Sequence, residues 1–314
     1  MFVARLLLSR ALQAVVAALC IGCFSFVLMQ MLPGDVAFRV AAARYSADLM
    51  SLQLAEAVRG TLGLDRPWPL RLLDWLRQVA ALDFGRSLVS NRPVVLEVAE
   101  QLGRSLALAG AALAMTVALA LPVGILAGLA PGRWFDSLSL LLATLCRSVP
   151  TYALCIVATA IFVLRLRWFP SAGFDGWSSL VLPAAVLSLG MAAVTSRVMR
   201  DSLARTEAAA FFRYGRHKGL PEWAVVWRHG LRNALIPVVA VLGQQTMVLI
   251  EGVVVVETLF SFPGIGQAIV RAVFSSDVPM IQATALALGL IFVLVNTVVD
   301  LLCLWLDPRA RTAR

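Results

Sequence analysis

Apolar residues along this chain gather into six long blocks, at about 10–32, 104–130, 137–164, 180–200, 234–257 and 282–306. Each reaches the roughly 20 residues that a helix needs to cross a bilayer, so the pattern predicts six transmembrane helices. The fourth block is the least clean, because Arg197 and Arg200 intrude on its end. Arg5 and Arg10 before the first block give it the look of a secretory leader. The run from Ala11 to Leu32 is longer than the ~7–15 residues of a leader's apolar region, so it reads as a retained span. Pro150 should kink or break the third span.

Between the blocks the pattern changes to amphipathic. In the loop 33–103, Ser46 can cap a helix carrying Leu49, Leu52, Leu54 and Val58 that ends near Gly60 or Gly63. Pro69 can open a second, with Leu70, Leu73, Leu76 and Val79 on one face. A third is expected from Pro93, running into span two. In the loop 201–233, one helix carries Phe211, Phe212 and Tyr214 up to Gly219, and Pro221 opens another with Trp223, Val226 and Trp227. Arg213, Arg216, Lys218, Arg228 and Arg232 surround that apolar centre. An apolar centre with a polar rim fits a protein interface. The alternative is an amphipathic segment lying on the membrane.

Composition agrees with lipid as solvent. The chain is 60% hydrophobic and 14% charged with a mean hydropathy of +0.85, too little charge to cover a soluble domain of 314 residues. The fold class expected is all-α, a polytopic membrane helix bundle forming a single domain over 1–314. The net charge of +9 comes almost wholly from arginine, with Lys218 the only lysine. No basic, aromatic-rich module stands apart from the apolar blocks, so nucleic acid is not an expected partner; membrane lipid is. The basic flanks are Arg5 and Arg10, Arg133, the segment 196–235, and Arg309, Arg311 and Arg314. With six spans all lie on one side, which makes that side and both termini cytoplasmic. Loop 33–103 lies on the other side and exceeds the ~60 residues within which that rule counts.

Several chemistries have no motif. There is no GxxxxGK[ST] loop, since no lysine follows Gly264-Ile265-Gly266, and no HExxH or GxSxG. The only histidines, His217 and His229, lie in loop 201–233. Hence no catalytic residue, no cofactor and no metal site is expected, and any energy for transport comes from another subunit. Cys20 and Cys23 form a CxxC, but with Cys146, Cys155 and Cys303 they sit in apolar blocks and read as packing residues.

Polar residues within the spans are costly and therefore informative. Gln244, Met247 and Glu251 share a face of span five, which also holds Gln245 and Glu257. Glu251 either lines a pathway and attracts cations, or pairs with an arginine such as Arg147, or faces an outer vestibule. Asn296 and Asp300 share a face of span six and fit interhelical hydrogen bonding or substrate contact. Met191, Thr195 and Met199 form a stripe on span four that reads as packing. The candidate path residues are thus Gln244, Met247, Glu251, Arg147, Asn296 and Asp300.

The run RHKGL…RHGLRNALIP in 216–237 resembles the cytoplasmic coupling loop of ABC importer permeases in the peptide/nickel branch. LPGD at 32–35, LGLDRP at 62–67, LDFGRSL at 82–88, VETLFSFPGIG at 256–266 and VNTVVDLLCLWLDPRAR at 295–311 agree in order, over nearly the whole chain. The resemblance implies a type I importer transmembrane domain in a bacterial inner membrane. It implies a second homologous permease, two cytoplasmic ATPase subunits and an extracytoplasmic binding protein docked on loop 33–103. Arg213, Arg216, Lys218, Gly219, Leu220 and Trp223 are the candidate ATPase-interface residues of this loop. The general importer loop has Glu-Ala-Ala where this chain has Arg213, Tyr214 and Gly215, and Leu-Pro where it has Leu231-Arg232, so Gly219 is the position that transfers firmly. Cargoes in the branch are di- and oligopeptides, nickel and metal chelates. WFPSAGFDGW at 168–177, with LDFG at 82–85, stands closer to nickel-type permeases. The rival readings are an ion-coupled secondary transporter, which should show inverted repeats, and an intramembrane enzyme, which needs a base or metal constellation; neither feature is visible.

Overall fold

A computed structural model of the chain describes residues 2–31, 67–81, 83–170, 172–174, 176–210, 214, 221–275 and 277–306. The helix expected after Ser46 lies outside these residues, as do Arg213, Arg216, Lys218, Gly219 and Leu220 and the side chain of Trp223. Among the described residues the secondary structure is helical, apart from an isolated antiparallel bridge between Arg86 and Pro93.

The helices are α1 (Phe2–Met31), α2 (Trp68–Ala80), α3 (Val94–Leu129), α4 (Trp134–Ser148), α5 (Thr151–Ala158), α6 (Ser178–Ala208), α7 (Glu222–Val225), α8 (Leu231–Leu259), α9 (Ile265–Phe274) and α10 (Val278–Leu306). Five of them, α1, α3, α6, α8 and α10, are long and apolar enough to cross a membrane, and α4 with the helical stretch Thr151–Arg165, bent by 97° between them, brings the number to six if the pair is one span. The bend has a local cause. Proline disfavours the α-region for the residue before it, and Val149, preceding Pro150, is extended at φ −92° and ψ 124°. Beyond the break α5 widens into a π-helical turn at Thr159–Arg165. The helix expected from Pro93 and the second span are one element, because α3 has 36 residues, about 54 Å, well beyond the ~30 Å hydrocarbon core. The helix opened by Pro69 is α2, with Leu70 and Leu73 exposed.

Two compact units emerge, one of residues 1–105 and 263–294, the other of 106–262 and 295–314. In the first, Val94 and Val98 of α3 pack with Ile265, Ala268 and Ala272 of α9 and Met280 and Ala283 of α10. Asp277 organises its polar parts. Its carboxylate caps α10 by accepting the Met280 N–H at 3.3 Å, and also accepts the Ser87 hydroxyl and the Leu88 N–H at 3.2 Å. That ties the LDFGRSL loop to the start of α10. Nearby, the Ser105 hydroxyl accepts the first amide of α9, Ile265 N–H, at 2.8 Å.

In the second unit the core runs from Leu108 and Ala112 of α3 through α6 to Leu249, Val253, Val256, Phe260 and Phe262. Helices approach closely at glycines. A Cβ on Gly124 would lie 2.6 Å from the Met199 Cβ and 2.7 Å from the Ser196 carbonyl, and one on Gly128 would lie 3.0 Å from the Arg200 carbonyl. This is the Gly-xxx-Gly approach of membrane helices, in which absent side chains let backbones touch.

Candidate functional site

The orientation of α8 decides which of its polar residues are available. Gln245 Nε2 donates to the Met191 carbonyl and to the Thr195 hydroxyl, each at 3.0 Å, on the facing side of α6. A Cβ on Gly252 would lie 3.2 Å from Leu187 of α6, and one on Gly243 would lie 2.3 Å from Val299 of α10. With these contacts inward, Leu249, Val253 and Val256 are buried. The opposite face then carries Ala240, Gln244, Val248, Glu251, Val255, Thr258 and Leu259, all exposed. Their spacings of three and four residues keep them on one stripe. Met247 lies half-buried at its edge.

Glu251 is the centre of that stripe. From the Leu259 end of α8 it lies about 12 Å along the axis, inside the span but toward one end. A carboxylate turned to hydrocarbon costs about 2.5–3.5 kcal/mol on insertion scales. Gln244 beside it adds a second polar group. A face of this composition is stable against water or a protein partner rather than against lipid chains. Among the described residues Glu251 makes no ion pair with Arg147, which is exposed in the last turn of α4. Asn296 and Asp300 are half-buried on α10 and both are engaged in polar interactions. Met191, Thr195 and Met199 are buried, as a packing stripe should be, and Thr195 also serves as the acceptor for Gln245. Glu257, on the same helix as Glu251, is fully buried. Among the described residues no three His, Cys, Asp or Glu side chains converge on a point that would hold a metal ion.

The segment 201–233 is described at its two stems. The last turns of α6 and the first of α8 share one cluster, in which Met199, Leu203, Ala234 and Val238 are buried against Leu121, Ile125 and Leu231. The returning limb of the segment opens at Pro221 as expected, with α7 continuing into a π-helical turn at Val226–Gly230. Val225 and Val226 are buried there, while Trp227 is 66% exposed and free for a partner or a lipid interface.

Sequence reasoning missed Asp136. This residue, 6% exposed at the start of α4, receives Arg200 Nη2 at 2.6 Å and Nε at 3.1 Å, Arg197 Nη2 at 2.7 Å and the Gly132 N–H at 2.9 Å. Arg197 Nη1 also reaches the Ser139 hydroxyl at 3.3 Å. The two arginines that blurred the fourth span therefore share a carboxylate some sixty positions earlier, and Arg200 also pairs with Asp201 at 3.0 Å. The available signal was their i, i+3 spacing on α6, which demands an acid on one face.

Comparison with known proteins places this geometry. The family described as binding-protein-dependent transport system inner membrane component matches residues 120–312, and its N-terminal companion matches residues 3–109. A putative peptide transport system permease protein of Brucella abortus (strain 2308) is 37% identical over 314 residues, covering 98% of both chains. A glutathione transport system permease protein of Salmonella typhimurium is 36% identical over 304 residues, covering 97% of this chain and 98% of the relative. Among solved structures, the inward-facing MetNI methionine ABC transporter superposes with a TM-score of 0.57 at 18% identity, covering 69% of this chain and 99% of that one, which supports the fold alone. The chain belongs to the family of binding-protein-dependent transport system inner membrane components, and is a multi-pass permease subunit of an ABC importer.

Proposed function

We propose that this subunit, folded as one permease domain over 1–314, forms half of a translocation path for di- or oligopeptides. The observation that carries the reading is the uncovered stripe on α8, where Gln244 and Glu251 face outward while Gln245 is spent on α6. A second homologous permease supplies the other half. Two cytoplasmic ATPase subunits bind the segment 201–233 through Arg213, Arg216, Lys218, Gly219, Leu220 and Trp223, and a binding protein delivers cargo from outside. Both termini are cytoplasmic. The subunit itself has no catalytic site; hydrolysis belongs to the ATPases. Arg147, Met247, Asn296 and Asp300 flank the route rather than hold the cargo. The peptide choice follows the names of the relatives, whereas the 168–177 stretch had favoured nickel.

Glu251 gives the path a negative charge that favours cargo with a cationic group. At the ~1 kcal/mol of a water-exposed charge pair, Glu251→Gln should weaken uptake of a lysine-containing tripeptide by roughly fivefold. The test is uptake in cells carrying the whole importer, with trilysine, trialanine and Ni(II) as probes. A selective loss for trilysine supports the reading. Equal uptake of all peptide probes by wild type and variant makes Glu251 structural, and uptake of Ni(II) alone reverses the choice of cargo.

A further inference from the structure

We propose that Asp136 is a positioning residue of the transport cycle, the joint through which the coupling segment moves α4. The inference rests on the reading of 201–233 as that segment. α6 runs past Arg197 and Arg200 into the segment itself and ends at Ala208. Both guanidinium groups converge on the one buried carboxylate of Asp136, and Gly132 and Ser139 hold the same corner of the fold. Arg200 engages Asp136 with two nitrogens at once. A two-point charge-assisted fork fixes orientation as well as distance, so the joint passes on rotation as well as displacement.

The element on the receiving side is built to move. α4 is a 15-residue rod, about 22 Å long, that ends at the Val149-Pro150 break with its 97° bend. One end of the rod is held by Asp136 and the other is a hinge. On the driving side, Gly128 seats against the Arg200 carbonyl, and Met199 and Leu203 are buried against the start of α8. The stem of the segment is thereby a stiff block whose polar outlet is Asp136.

The experiment is amide hydrogen exchange on the whole importer in nanodiscs, with and without ATP and vanadate, comparing wild type, Asp136→Asn and Arg200→Lys. Wild type should show nucleotide-dependent exchange in both 201–210 and 138–148. Both variants should keep the ATPase subunits and the response in 201–210, and lose about tenfold of the response in 138–148. A wild-type response in 138–148 from an assembled variant overturns the proposal. Should Asp136→Asn fail to assemble, Arg200→Lys, which keeps the charge but loses the fork, decides by the same criterion. If wild type shows no nucleotide response in 201–210, the coupling reading fails and this proposal with it.

Discussion

Gln245 donates its side-chain amide to the Thr195 hydroxyl across the α8–α6 contact at 3.0 Å, and the neighbouring Gln244, about 100° further round the helix, is thereby turned to the uncovered face. Two adjacent glutamines thus have different work. Gln245→Leu should lower stability by about 0.6–1.7 kcal/mol, the range for interhelical hydrogen bonds in membranes. Thermal unfolding in detergent should register this as a fall of several degrees. Gln244→Leu should leave the unfolding temperature unchanged and reduce peptide uptake. The reverse pattern would mean that α8 is rotated from the orientation described.

Close approach of α3 to α6 predicts sensitivity to size alone. A side chain on Gly124 meets the Met199 Cβ and the Ser196 backbone, neither of which can swing away. Gly124→Val should cost at least the ~1–3 kcal/mol of an overpacked core and lower the yield of folded protein. Gly110→Val is the control, because a Cβ there meets nothing within 4 Å. Equal yields from both variants would contradict the packing.

Asp277 combines a helix cap with an anchor for the 83–93 loop, so its variants should grade. Asp277→Asn keeps an acceptor for Met280 N–H and should retain most of the stability, whereas Asp277→Ala should lose about 1–2 kcal/mol. Ser87→Ala should expose the loop to protease while leaving α10 intact. Digestion patterns of the three variants check the order.

The fold was legible in the sequence because blocks of apolar residues report depth in a bilayer directly. The break at Pro150 and the extension of α3 from Pro93 were legible for a different reason: backbone chemistry at proline is local. Azimuth was not. Lipid and protein interiors are equally apolar, so a span's pattern does not say which face is covered, and Gln244 and Gln245 look alike until α6 is placed beside them. Asp136 was hidden because its partners lie 61 and 64 positions away. Asp277 was hidden because its Ser87 partner is 190 positions away. Both acids lie just outside an apolar block and look like ordinary boundary charges.

The charge bias predicts topology. Reporter fusions after residue 60 and after residue 314 should report opposite sides of the membrane, with residue 314 cytoplasmic. The same side for both would remove the basis for placing segment 201–233 against an ATPase.

The central claim is that this segment couples the permease to ATP hydrolysis, and Gly219 tests it most directly. The sequence pattern predicts a sharp turn at Gly219 between the two amphipathic stretches, where glycine would take positive φ without penalty and a larger residue would strain the chain. The measurement is recovery of the ATPase subunits with tagged wild type, Gly219→Asp and Gly219→Leu at matched membrane expression, read together with peptide uptake. Both variants should insert normally, lose most of the ATPase and abolish uptake. Gly219→Leu serves as the steric control, since the carboxylate of Gly219→Asp would stand only one and three positions along the chain from the basic Lys218 and Arg216. Full ATPase recovery and full uptake in both variants would contradict the account.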